Sequence, residues 1–414
     1  MRIAIIFTIF FVCAVQMSAQ KSVSESVLTV KLDKKILPST GRLEGISNIF
    51  FQESADAKFQ YPADWKEVET ASVLENKAFF PVYAIRHKPE SGQFEYVVDT
   101  DGNMDFRNET VLQFHQDGDV KIADFSLKIQ PVDRKQKSQQ VNYQVIISND
   151  GYIYARISEY RQGRFLLDND TYNIRILPRS RNNPVFNLLP ETICLIDRNR
   201  DDVFTKEWRL SDNGEILQAE EINIASPFML GERKWKITAL DTSGTTLKME
   251  SANEEISTSV GFKAPPFQLT GLDDKKYDLS QYRGKIVFLE FWSTNCPFCK
   301  HILPKVNDLI KKNLNEDFAA LAIAREDGRA EIENYQKQEA KNAVVIPGEK
   351  TIWQTYNSLG ITPTFYLIDQ QGIIRFSGYG ASAELIEVID KLTNQLREKE
   401  KTKVTKGFAH KATI

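Results

Sequence analysis

Cysteine is scarce in this sequence, with four in 414 residues. Cys13 lies in the N-terminal apolar run, which leaves Cys194, Cys296 and Cys299 beyond it. Three cysteines cannot staple so long a chain, so a disulfide framework is excluded. Charge of one sign is also lacking. Lys and Arg number 53 against 56 Asp and Glu, for a formal net charge of −3. Without a basic domain or an interleaved aromatic motif, nucleic acid is excluded as a partner. Long hydrophobic runs are missing after residue 15, and no later stretch approaches the ~20 residues of a membrane helix. What remains is ordinary globular composition, 42% hydrophobic and 26% charged. The length suits two or three domains.

The chain begins MRIAIIFTIFFVCAVQMSAQ. Arg2, then an apolar run from Ile3 to Val15, then Ser18 and Ala19 form the layout of a secretory signal peptide, residues 1–19. Export follows. An uncleaved run would instead leave a membrane tether. Cys13 follows Phe11 and Val12 rather than small residues, so it is not a lipidation site.

Residues 20–260 repeat with period two. FEYVV, VNYQVIIS, YIYARI and TYNIRIL are rich in β-branched and aromatic residues and are separated by polar turns. This half is expected to be β-rich. The polar segment DRKQKSQQ predicts a division into two modules, 20–132 and 141–260. An internal echo supports duplication: DTDGNMDFRNE at 99–109 and DRNRDDVFTKE at 197–207 both fit D-x-[DN]-x-[DN]-x-x-F-x-x-E. Alternating Asp and Asn oxygens resemble a calcium loop. The EF-hand spacing fails, however, with Met104 and Asp202 where its glycine belongs and the Glu one place early. An Asx-rich turn around a packed Phe is the favoured reading. No metal is assigned.

After residue 262 the pattern changes. KIVFLEFW and FAALAIA are continuous apolar runs, as in strands buried on both faces. Helical stretches alternate with them, so residues 262–398 read as an α/β domain with a central sheet. The lysine-rich end, 399–414, reads as a disordered tail.

Between the first apolar run and the first helix stands NCPFC. A thiolate is the nucleophile of disulfide exchange, and a helix N-terminus stabilises it. Cys296 at the strand-to-helix junction is then the attacking thiol, with Asn295 as N-cap candidate and Pro297 in the first turn. Cys299, one turn along, can attack the mixed disulfide and release the partner. A zinc site would need four ligands, and Cys194 and His301 do not complete one. A structural staple across so short a loop would stabilise little.

Residues 264–390 resemble the TlpA/ResA-like branch of the thioredoxin-fold oxidoreductases of bacterial envelopes. The resemblance rests on APPFQLTGLDDKKYDLSQYRGKIVFLEFW, on CPFC, and on GITPTFYLID followed by QQGII. It implies a thioredoxin fold with a central mixed sheet, a periplasmic or cell-envelope location and no cofactor. It also implies disulfide-bonded envelope proteins as substrates and an upstream thiol electron donor. Pro363 matches the family's cis-proline facing the dithiol. Thr362 would offer backbone groups to an extended substrate. Glu290, six residues before Cys296, matches a buried acid placed to relay the proton of Cys299. Pro304 matches the proline within the active-site helix. Asn295 departs from the family's usual tryptophan, which puts the partner surface in doubt. Lys300 and His301 are expected on the solvent side.

Two other functions compete with a thiol–disulfide oxidoreductase. One is an envelope binding or scaffold protein whose β modules recognise a ligand. The other is a peroxiredoxin-like peroxidase. The latter needs P-x-x-x-T-x-x-C, and Leu289 and Ser293 stand in its key places.

Overall fold

The first apolar run of the C-terminal half forms the strand Ile286–Trp292, and all of its residues are buried. A computed structural model describes the chain over residues 27–36, 47–48, 51–53, 58–75, 77–133, 138–179, 182, 186–188, 192–325, 327–339 and 341–411. In it this strand is the centre of a five-stranded sheet. The order is Val344–Pro347, Phe318–Ala324, Ile286–Trp292, Thr364–Ile368, Ile374–Tyr379. Pairing is parallel on one side of the centre and antiparallel on the other. Four helices flank it: α1 (Pro297–Asn313), α2 (Arg329–Gln338), α3 (Lys350–Tyr356) and α4 (Ala383–Lys411).

Strand alternation sorts the core into two faces. Ile286 and Phe288 join Ile302, Val306 and Leu309 of α1 and Leu385, Val388 and Ile389 of α4. Val287, Leu289 and Phe291 join Ile352, Trp353 and Tyr356 of α3. Burial of each such side chain contributes roughly 1.5–3 kcal/mol. By the same alternation Glu290 and Trp292 fall on the α1 face.

The upstream half is β-rich and contains several sheets. Val120–Ile129 and Gln139–Ser148, on either side of the polar segment, pair antiparallel along ten residues in one sheet. The sheet changes at Ser158, between the strands Ile153–Ile157 and Glu159–Leu167. The first strands, Val27–Lys31 and Asp33–Ile36, pair with Thr246–Ser251 and Glu159–Leu167, not with their neighbours in sequence. One buried cluster links Val73, Val82, Leu127 and Tyr143, and another links Val30, Ile174, Trp235 and Met249.

The expected signal segment lies outside the described residues. Among those described, no helix is long and apolar enough to cross a membrane. The lysine-rich end carries α4 on to Lys411. Lysine and glutamate are good helix formers, so a polar, lysine-rich end prolongs a helix that is already nucleated.

The two halves meet at the edge strand Ile374–Tyr379. Trp208 donates from Nε1 to the Ser377 carbonyl at 2.9 Å, and its ring lies 4.9 Å from that of Phe376. The Leu210 amide donates to Glu384 Oε1 at 2.9 Å.

Candidate active site

Strand Ile286–Trp292 ends in a short turn, and α1 starts at Pro297. Cys296 is therefore the N-cap, one residue later than the cap expected at Asn295. Its sulfur accepts the Cys299 amide at 3.0 Å, which satisfies one of the helix's free donors. Pro297 in the first turn has no N–H to lose. The sulfurs of Cys296 and Cys299 are bonded to each other. Cys299 is fully buried, whereas Cys296 is 7% exposed, so the first cysteine is the one a partner can reach.

Asn295 is exposed and does different work. Its side-chain amide donates to Glu331 Oε1 of α2 at 3.1 Å. The Thr294 amide donates to Asp327 Oδ2 at 2.8 Å, and Thr294 Oγ1 lies 2.7 Å from Glu331 Oε1. The turn before the dithiol is thus tied to the start of α2. Lys300 and His301 are exposed, and Pro304 lies inside α1.

Facing the pair is the loop at Thr362–Pro363, whose peptide bond is cis. The Thr362 carbonyl lies 3.6 Å from Cys296 Sγ. The loop is held on both sides of that peptide. The Asn357 carboxamide donates to the Ile361 carbonyl at 2.6 Å and accepts the Ile361 amide at 3.1 Å. Thr364 Oγ1 donates to the same carbonyl at 2.8 Å, and the Gly380 amide to that of Pro363 at 3.0 Å. Gly380 has φ +117°, which a side chain would strain.

Glu290 is buried on the α1 face and has a partner that sequence reasoning did not find. Lys341 Nζ donates to its Oε1 at 2.8 Å, with both side chains 1% exposed. The same ammonium lies 4.5 Å from the Trp292 ring centroid. Trp292 and Tyr335 pack at 4.9 Å, in one cluster with both cysteines. Burial, with help from Glu339 and Glu290, pushes the Tyr335 hydroxyl up to about 12. The layout is a disulfide, an aromatic layer and a buried ion pair. The only sequence signal for Lys341 was its place just before an apolar run, which does not distinguish it from a surface lysine.

Cys194 is fully buried in the strand Thr192–Ile196, and burial pushes its thiol well above the ordinary range. The two Asp-rich turns hold themselves together. Asp99 accepts the amides of Gly102, Asn103 and Met104, and Asp197 those of Asp201 and Asp202. Phe106 is buried beside the first turn. Asp99, Asp101 and Glu109 bring carboxylates within 4.8 Å of one another. Glu109, however, accepts the Thr100 amide and hydroxyl, and the hydrogen bonds are those of a self-capped turn.

The C-terminal half is similar to known proteins. Residues 260–377 match the AhpC/TSA family. The chain is 32% identical over 153 residues to the thiol–disulfide oxidoreductase ResA of Bacillus cereus, covering 36% of this chain and 88% of that one. It is 31% identical over 140 residues to ResA of Geobacillus kaustophilus, covering 34% and 80%. Among solved structures it is similar to an exposed lipoprotein thioredoxin of Streptococcus pneumoniae. That likeness is 28% identical with TM-score 0.29, over 32% of this chain and 100% of that one.

Proposed function

Since the chain belongs to the ResA/TlpA-like thiol–disulfide oxidoreductases of the thioredoxin superfamily, we propose that it reduces disulfides of cell-envelope proteins through the Cys296–Cys299 pair. The observation that carries this is the position of Cys296. Its sulfur caps α1, accepts an amide at 3.0 Å and faces the Thr362 carbonyl at 3.6 Å.

In the reduced protein the Cys296 thiolate, stabilised by the helix N-terminus, attacks a client disulfide. One client thiolate leaves and a mixed disulfide forms. The Cys299 thiolate then attacks the Cys296 sulfur and frees the second client thiolate. Two electrons pass to the client, and the internal disulfide remains. An upstream thiol donor reduces it again, and no cofactor is required. Glu290, held by Lys341, takes up and returns the proton of Cys299. Thr362 and Pro363 form the platform along which the client segment lies.

Export to the periplasm or envelope rests on the signal-like N-terminus. We assign the oxidoreductase unit to residues 262–398, and place the division of the β-rich half at residue 158. No feature favours a scaffold in which the dithiol is idle, because the buried pair and the strapped turn converge on it.

The test is capture. A Cys299→Ala chain expressed in the cell envelope accumulates mixed disulfides with proteins, whereas Cys296→Ala accumulates none. Absence of any adduct from Cys299→Ala would overturn the reading. Equilibration with glutathione sets the direction. Such pairs span about −270 to −120 mV, and a value at the oxidising end would reverse the proposed electron flow.

A further inference from the structure

The strand Ile374–Tyr379 is the outer edge of the C-terminal sheet, and an open edge is a site for unwanted pairing. The β-rich half covers part of it. Besides the Trp208 bond to Ser377, Arg179 donates to the Tyr379 hydroxyl at 3.1 Å, and that hydroxyl donates to Glu221 at 3.2 Å. The contact does not close completely. A cleft of about 270 Å³ remains between the two halves. Lys206, Glu207 and Trp208 line it from the β-rich half, and Leu359, Ile361 and Thr364 from the loop that carries Pro363.

We propose that this cleft seats the client. It takes the extended polypeptide on one side of the client's disulfide cysteine, with an apolar side chain between Trp208 and Leu359. The β-rich half thereby acts as the specificity wall of the exchange site. This inference rests on the oxidoreductase reading above.

Three observations carry it. The first is continuity. Ile361 and Thr364 bracket the Thr362–Pro363 platform and also line the cleft. A strand paired at Thr362 advances about 3.3 Å per residue, so one or two further residues are long enough to reach this wall. The second is chemistry. Leu359 is 37% exposed, and Phe298, between the cysteines in sequence, is 66% exposed. Both offer apolar contact to a client, Leu359 on the cleft wall and Phe298 beside the cysteines. Lys206 and Glu207 line the cleft beside Trp208, so a client seated there meets both charges. The third is rigidity. The wall is bolted to the edge strand by the Trp208 and Arg179–Tyr379–Glu221 bonds, so the groove exists before the client arrives and little ordering cost is added on binding.

The test uses the full chain and two substrates. One is a small aromatic disulfide with no peptide attached. The other is a disulfide-linked peptide with apolar residues flanking its cysteine. Leu359→Ala and the rim charge swap Lys206→Glu with Glu207→Lys leave the buried contacts between the halves intact. The expected result is a KM for the peptide raised about fivefold or more in Leu359→Ala, with kcat held. The charge swap should change the KM for peptides that carry an acidic or a basic residue beside the apolar flank, with kcat held. In the peptide adduct trapped on Cys299→Ala, amides at 206–208 should gain protection from hydrogen exchange. Unchanged KM in both variants, or no protection at 206–208, would overturn the cleft as client site and leave the dithiol chemistry standing. A wild-type chain that turns over neither substrate would instead overturn the oxidoreductase reading itself.

Discussion

Replacing Lys341 by Met tests the buried pair directly. The ammonium lies 2.8 Å from Glu290 Oε1, and both side chains are 1% exposed, so solvent does not screen the interaction. Removing one partner of a buried pair leaves an uncompensated charge and costs about 3–5 kcal/mol. Hydrogen exchange at the amides of Ile286–Trp292, corrected for intrinsic rates, reads this loss locally, and Lys341→Met should lose several kcal/mol of protection there. The double variant Lys341→Met with Glu290→Leu should recover most of the loss, because an apolar replacement of the whole pair is near neutral. A loss below about 1 kcal/mol in Lys341→Met, or a double variant no more stable than Lys341→Met, would refute the reasoning.

His87 sets a pH effect in the β-rich half. It is buried, stacked on Trp65 at 3.9 Å, and its ring nitrogens have no hydrogen-bond partner among the described residues. Burial holds its pKa below the ordinary value, outweighing the pull of Glu95 at 3.5 Å. The unfolded chain thus binds a proton that the fold resists. Stability of the Val82–Lys88 strand should fall as pH drops through about 6.5, and His87→Phe should flatten that slope in hydrogen exchange. For the Asp-rich turns, Asp99→Ala strands three amides and should cost about 2 kcal/mol or more in urea unfolding, with Asp197→Ala somewhat less. Added calcium should leave the wild-type midpoint unmoved; a clear upward shift would reverse the turn reading.

The parts of the site visible in the sequence were those encoded locally. NCPFC stands between an apolar run and a helical period, and a strand buried on both faces must read as an unbroken apolar run. The misplaced cap is a local error of one residue: asparagine is the better cap in general, but the turn hands that position to the sulfur of Cys296. Lys341 was hidden for a different reason. Its burial depends on Glu290, 51 residues earlier, and nothing in its own neighbourhood separates it from a solvated lysine.

The β-rich half was the least legible because its pairings are the least local. Val27–Lys31 lies beside Thr246–Ser251, and only the folded sheet reveals it. A polar segment such as DRKQKSQQ has the same composition whether it joins two domains or two strands of a hairpin, so composition alone could not decide. The duplicated acidic motif marks where local and non-local information part. Its backbone recurs, with Met104 and Asp202 at φ 63° and 62° and a buried Asp capping each turn. Its last carboxylate does not. Glu109 binds back onto Thr100, but Glu207 is exposed, and Glu220, from outside the motif, accepts the Arg198 and Thr205 amides instead. What the two copies share is therefore a way of folding a turn. A shared ligand set would have required the same carboxylate to return in both.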